Sequence, residues 1–192
     1  MQGRGRDDMK EIAIGRSRFQ LVMGDITAQD TEAVVNAANS RLAPGGGVAG
    51  AIHRAAGPGL WEECRKLGGC ATGQAVISGG YDLPNRYVIH TVGPVYSGSA
   101  DDPVLLQSCY LSSLRLADGQ NITSISFPAL STGIFGYPVD QAACVAITTI
   151  REYLLGATGI ETVRMVLYDE AAFLAHLTAL DALKCRWESG LT

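Results

Sequence analysis

A chain of 192 residues, 47% apolar and with a formal net charge of −4, reads as one globular domain with a full core rather than a disordered chain. Its 15 Lys and Arg are scattered singly among 19 Asp and Glu. That argues against a nucleic-acid polymer as partner, because clustered basic charge supplies most of such affinity. No apolar run approaches the roughly 20 residues that span a bilayer, and nothing apolar follows the arginines of MQGRGRDDMKEI, so the expectation is a cytoplasmic protein without a membrane partner.

Residues 1–10 read as a loose tail, 11–187 as a single domain and 188–192 as a C-terminal tail. FQLVMGD (19–25) is a predicted strand. TEAVVNAA (31–38) is a second, nearly all apolar, as a sheet covered on both faces requires. VAGAIHRAAG reads as a short helix, and Pro58 restarts a helical pattern in PGLWEECRKLGG. QAVISGG and RYVIHTVG are strands on either side of the turn YDLPN. In DDPVLLQSCYLSSLRLADG, the spacing of Leu106, Tyr110, Leu114 and Ala117 predicts a helix, with Asp102 as N-cap and Gly119 as its stop. TSISFPAL (strand), VDQAACVAITTIREYLLG (helix), ETVRMVLY (strand) and DEAAFLAHLTALDALK (helix, capped by Asp169) complete the series. Strands alternating with helices argue an α/β layer sandwich with a largely parallel sheet.

Ligands of such sheets bind at the carboxyl ends of the strands. Four segments fall there: GDIT (24–27), NAAN with the glycine run (36–50), STGIFGYP (131–138) and LYDE (167–170). Gly45, Gly47 and Gly50 match G-x-G-x-x-G, but the run does not follow its strand directly and no acidic residue stands about 20 residues on, so the dinucleotide fingerprint fails. Gly45, Gly46 and Gly47 at a helix start still suit a phosphate; the alternative is a surface turn. In the second loop Ser131 and Thr132 bring hydroxyls, and Gly133 and Gly136 admit close approach, so two loops can grip a diphosphate from both sides. Tyr137 is read as core. Asp25 either accepts from an exocyclic amine or caps the turn through Thr27. Asn39 is read as facing a ribose and Asn36 as structural, with local backbone bonding as the alternative. Tyr168 either stacks on a base or is buried. The five cysteines show no C-x-x-C spacing and the three histidines are far apart, so no metal site is expected.

GDIT, VVNAAN, GGGVAGAIHRAAG, YVIHTVGP and SFPALSTGIFGYP, in this order, closely resemble the macrodomain family, and within it the MacroD-type branch, over roughly residues 19–184. The resemblance implies a three-layer α/β/α sandwich with a mixed central sheet that binds ADP-ribose. It implies that Asp25, helped by the N–H of Ile26, bonds the adenine amine, that Tyr168 lies over the adenine, and that Asn39 contacts the distal ribose. Gly45, Gly46, Gly47 and Val48, with Ser131, Thr132, Gly133, Ile134, Phe135 and Gly136, would hold the diphosphate and distal ribose. The implied activity is hydrolysis of mono-ADP-ribose esters on acidic side chains of proteins and of O-acetyl-ADP-ribose, with Asn39, Gly46 and position 49 as the catalytic positions and no cofactor required.

Two positions depart from that branch. Ala49 stands where it carries an Asp that positions or activates water, a general base being worth typically 10²–10⁴-fold in rate. Phe135 stands where it usually has Tyr, which keeps the ring and loses a hydroxyl contact. An ADP-ribosyl hydrolase and a non-catalytic ADP-ribose reader are both compatible with these residues.

Overall fold

The structure is a computed structural model and describes residues 9–189. Met9–Ile14 (β1) and Ser17–Met23 (β2) pair antiparallel. Ala33–Ala37 (β3) leads to two consecutive helices, Gly47–Ala56 (α1) and Pro58–Leu67 (α2). Ala75–Gly79 (β4) and Tyr87–Thr91 (β5) form a second antiparallel pair. Asp101–Gly119 (α3), Ser124–Phe127 (β6), Val139–Leu154 (α4), Thr162–Leu167 (β7) and Glu170–Glu188 (α5) follow.

The sheet has the order β1-β2-β7-β6-β3-β5-β4. Strands β2, β7, β6, β3 and β5 are parallel, and β1 and β4 are antiparallel edges. This is the mixed, largely parallel sheet expected. Residues alternate across it. Val35, Ile89, Ile125, Phe127, Val163 and Met165 enter the core under α3, α4 and α5, whereas Val34, Val88 and Val166 enter the one under α1 and α2. A strand buried on both faces has no polar side to show, and β3 is apolar at every position but Asn36.

Met9 and Lys10, expected in a loose tail, instead open β1 and pair with Val22 and Leu21; residues 1–8 lie outside the described residues. Glu188 belongs to α5, and residues 190–192 also lie outside. Helix α5 is capped as expected, Asp169 accepting from Ala172 N at 2.8 Å. Helix α3 differs. Its first free N–H, on Asp101, is met by Ser99 Oγ at 3.2 Å, while Asp102 turns its carboxylate back on the preceding loop. No helix among the described residues is long and apolar enough to cross a membrane.

Candidate functional site

Five parallel strands send their carboxyl ends to one rim, and the four segments singled out in the sequence all lie there. At one end of the rim Gly24 N donates to Leu167 O at 2.9 Å, which brings the loop after β2 beside Tyr168 at the end of β7. Tyr168 is 86% exposed, so its ring is not core. Asp25 Oδ1 accepts from Thr27 N and Thr27 Oγ1, both at 2.8 Å, and so caps the 3-10 turn Ile26–Ala28. Both bonds use one oxygen of an exposed carboxylate. The cap and an amine contact are therefore compatible. Ile26 opens the turn, where its N–H has no intrahelical partner.

Helix α1 packs against this turn and starts at the glycine run. Gly46 is its N-cap and offers no side chain to its free N–H groups, and a Cβ at Gly46 or Gly47 would meet open space. Gly47 has φ +52°, a conformation that disfavours a side chain. The N–H groups of Gly47, Val48 and Ala49, in the first turn of the helix, thus have no side-chain cap among the described residues, and they lie at the positive end of the helix dipole. Gly50 serves a different purpose: a Cβ there would strike the Gly45 carbonyl. The third glycine of the apparent fingerprint closes the loop rather than opening it to a ligand. Ala49 is buried within the first turn.

Asn39 stands just after β3, near the start of the loop that leads to the glycine run. Its Oδ1 accepts from Arg41 N at 3.2 Å and Ala43 N at 3.0 Å, and its Nδ2 donates to Ala43 O at 2.7 Å. These are the local bonds weighed for it in the sequence. They leave one amide N–H, and Asn39 lines a cavity of about 470 Å³. Asn36 is fully buried, its Nδ2 3.1 Å from His90 Nδ1. The amide donates there, so the imidazole proton sits on Nε2, 2.8 Å from Ser78 Oγ. Burial, reinforced by His53, pushes the His90 pKa down to about 3, so the ring is neutral and structural.

The second loop is tight. Gly136 N donates to Gly133 O and Tyr137 N to Ser131 O, both at 3.0 Å, and Thr132 Oγ1 is tied to Ala129 O at 3.0 Å. Ile134 at its tip is 95% exposed. Tyr137 is buried as expected, its ring centroid 4.9 Å from that of Tyr96. Ser131 has φ +65°, and its buried Oγ has no hydrogen-bond partner among the described residues, two costs concentrated on one residue of the loop.

Sequence reasoning missed the fifth loop of the rim. After β5 the chain runs Val92–Gly93–Pro94–Val95–Tyr96 against the Ser131 loop. Tyr96 N donates to Phe135 O at 2.8 Å, and a Cβ at Gly93 would strike Ser131 Oγ. The loop between α2 and β4 also lines the cavity, through Thr72, which pairs with Val92. The adjacent signal was VGP after YVIHT, a glycine at a strand's carboxyl end, as in the other rim loops. The carboxylate that lines the cavity is Asp102, and it is committed: the N–H groups of Ser97, Gly98 and Ser99 hold it at 2.8, 2.8 and 3.2 Å. The Ser97 N–H foremost lowers its pKa, which makes it a poor base.

The model of the Macro domain family matches residues 35–146. A macro domain-containing protein of Chlorobaculum tepidum is 52% identical over 162 residues, covering 84% of this chain and 94% of that protein. The ADP-ribose glycohydrolase MACROD2 of Xenopus laevis is 57% identical over 150 residues, 76% of this chain and 36% of that longer protein. Among solved structures, the Oceanobacillus iheyensis macrodomain with ADP superposes with TM-score 0.90 at 38% identity, covering 93% of this chain and 97% of that one. The Trypanosoma brucei macrodomain in complex with ADP-ribose superposes with TM-score 0.80 at 39% identity, covering 84% and 68%. Sequence, fold and the build of the rim agree, and the chain belongs to the macrodomain family.

Proposed function

We propose that this chain binds ADP-ribose and hydrolyses its esters, releasing it from acidic side chains of mono-ADP-ribosylated proteins and from O-acetyl-ADP-ribose. The observation that carries the reading is the order of groups along one rim. An exposed aromatic beside a carboxylate, Tyr168 and Asp25, suits adenine. The uncapped N–H groups at the start of α1, together with the Ser131–Gly136 loop on the same rim, suit a diphosphate. The cavity at Asn39 and Phe135 suits the distal ribose. Relatives named as ADP-ribose glycohydrolases and neighbours solved with ADP or ADP-ribose support it.

In this reading water attacks the ester linkage on the distal ribose, giving a carboxylate and a ribose hydroxyl, with no cofactor. Ala49 supplies no base and Asp102 is committed, so the Asn39 amide and the substrate's own diphosphate orient the water, and turnover is slow. Ala49 also favours a second reading, a reader that binds without turnover.

The deciding experiment measures ADP-ribose affinity and release of ADP-ribose from a Glu-linked, mono-ADP-ribosylated protein at high enzyme concentration. Release above an Asn39→Ala control is expected. Binding without any release would leave the reader, and absence of binding would overturn both.

A further inference from the structure

An arginine in the middle of β7 is held in a polar network that reaches the turn at Asp25. Arg164 stands beside Gln20 of β2 in the parallel register. Its Nε donates to Gln20 Oε1 at 2.8 Å, and its Nη1 donates to Gln29 Oε1 at 2.9 Å and to Asp30 Oδ1 at 2.7 Å. The Arg164 side chain is 18% exposed, so these bonds are largely sheltered from water.

These contacts decide which way round the Gln29 amide lies. A guanidinium carries only donors, so it must meet the amide oxygen. The amide nitrogen therefore lies on the other side, where Gln29 Nε2 donates to the Asp25 carbonyl at 2.7 Å. Gln29 is itself buried, and its own carbonyl accepts from Asn85 Nδ2 at 3.0 Å. Main chain and side chain are both anchored.

The Asp25 carboxylate depends on that bond. The other hydrogen bonds of the turn are local: Ala28 N donates to the Asp25 carbonyl at 3.2 Å, and Thr27 holds Oδ1. Gln29 is what ties that carbonyl to Arg164 and so to the sheet. A shift of the carbonyl moves Oδ2, the carboxylate oxygen that the cap does not use. Hydrogen bonds weaken steeply as their geometry departs from linear. An oxygen held in place accepts from a purine amine and repels a carbonyl oxygen at the same ring position.

We propose that Gln29, oriented by Arg164, is a positioning residue for base selection: it holds the Asp25 carboxylate where it distinguishes an amino-purine from an oxo-purine. The proposal rests on the reading above, which puts adenine at Asp25 and Tyr168.

The test compares the full chain with Gln29→Glu and Gln29→Met by calorimetry. The ligands are ADP-ribose and its inosine analogue, in which a carbonyl oxygen replaces the adenine amine. Gln29→Glu keeps an acceptor for Arg164 but presents another acceptor to the Asp25 carbonyl. Gln29→Met removes both bonds without adding charge. The readout is the ratio of the two affinities, because a general loosening of the fold weakens both ligands alike and leaves the ratio unchanged. The parent should favour ADP-ribose by about tenfold or more, the factor that a hydrogen bond to a charged group supplies, and the variants should bring the ratio to within about threefold of unity. Thermal melts establish that each variant is folded, and either one alone decides. A ratio that persists in a folded variant overturns the proposal, whatever happens to the separate affinities. So does a parent that binds both ligands equally, since Asp25 would then not read the amine. A parent that binds neither ligand is a different result, and sinks the functional reading on which the proposal rests.

Discussion

Gly50 lies so close to the carbonyl oxygen of Gly45 that no side chain fits between them. The obstacle is backbone, so no rotamer change relieves it. By intrinsic propensity Gly50→Ala in α1 gains about 1 kcal/mol; the clash reverses the sign. Overpacking of this kind costs about 1–3 kcal/mol, which for a chain of this size lowers Tm by about 2–4 °C per kcal/mol. A thermal melt with ADP-ribose titration should show lower stability and weaker binding together. A variant as stable as the parent would mean the loop yields freely.

Ala49→Asp introduces a carboxylate in the first turn of α1. The helix dipole favours an anion there, and a general base is worth typically 10²–10⁴-fold. Single-turnover release from a Glu-linked substrate should quicken within that range, while ADP-ribose affinity persists. An equal or slower rate would show that position 49 does not reach the reacting water.

Tyr168→Ala separates binding from folding. The side chain is 86% exposed, so its loss should leave the melting curve unchanged. Base–aromatic stacking is worth about 1–3 kcal/mol, so ADP-ribose affinity measured by calorimetry should fall by roughly 5- to 150-fold. Unaltered affinity would remove Tyr168 from the adenine site.

Acid should destabilise the fold before its carboxylates titrate. Burial lowers the pKa of His90 to about 3, from an unfolded value near 6.5, and burial also lowers those of His53 and His176. Below pH 6.5 the unfolded chain therefore takes up protons that the folded chain refuses, so stability present above that pH is lost as pH falls towards 3. Each such group contributes a slope of up to about 1.4 kcal/mol per pH unit. Urea unfolding at pH 7, 5.5 and 4.5 should show the decline, and His90→Gln should flatten it. A parent whose stability is constant over that window would contradict the neutral, buried assignment.

Much of the rim was legible because its residues carry local physical signatures. Glycine runs and Asp169 announce turns and caps on their own. Strand β1 was not legible: Met9 is 55% exposed, only Ile14 is buried, and an edge strand of that kind has the composition of a tail. Asp102 looked like a helix cap because it precedes an apolar run, but the N-cap position falls on Ala100, Ser99 Oγ meets the Asp101 N–H, and the carboxylate serves the loop. That Thr72 lines the cavity was invisible because its place depends on Cys70 meeting Ser40 and Gly73 meeting Val92 across the fold. No spacing rule joins such residues.

The position of β7 between β2 and β6 has a consequence for how the site comes into being. Met23 and Leu167, partners in register, are far apart in the chain, and Tyr168 follows directly. During synthesis, the loops that would grip a diphosphate exist long before the strand that completes the adenine end. Contacts of such sequence separation form slowly. Affinity for ADP-ribose thus reports completion of the sheet, and a chain halted before Thr162 would leave β2 and β6 as open, aggregation-prone edges.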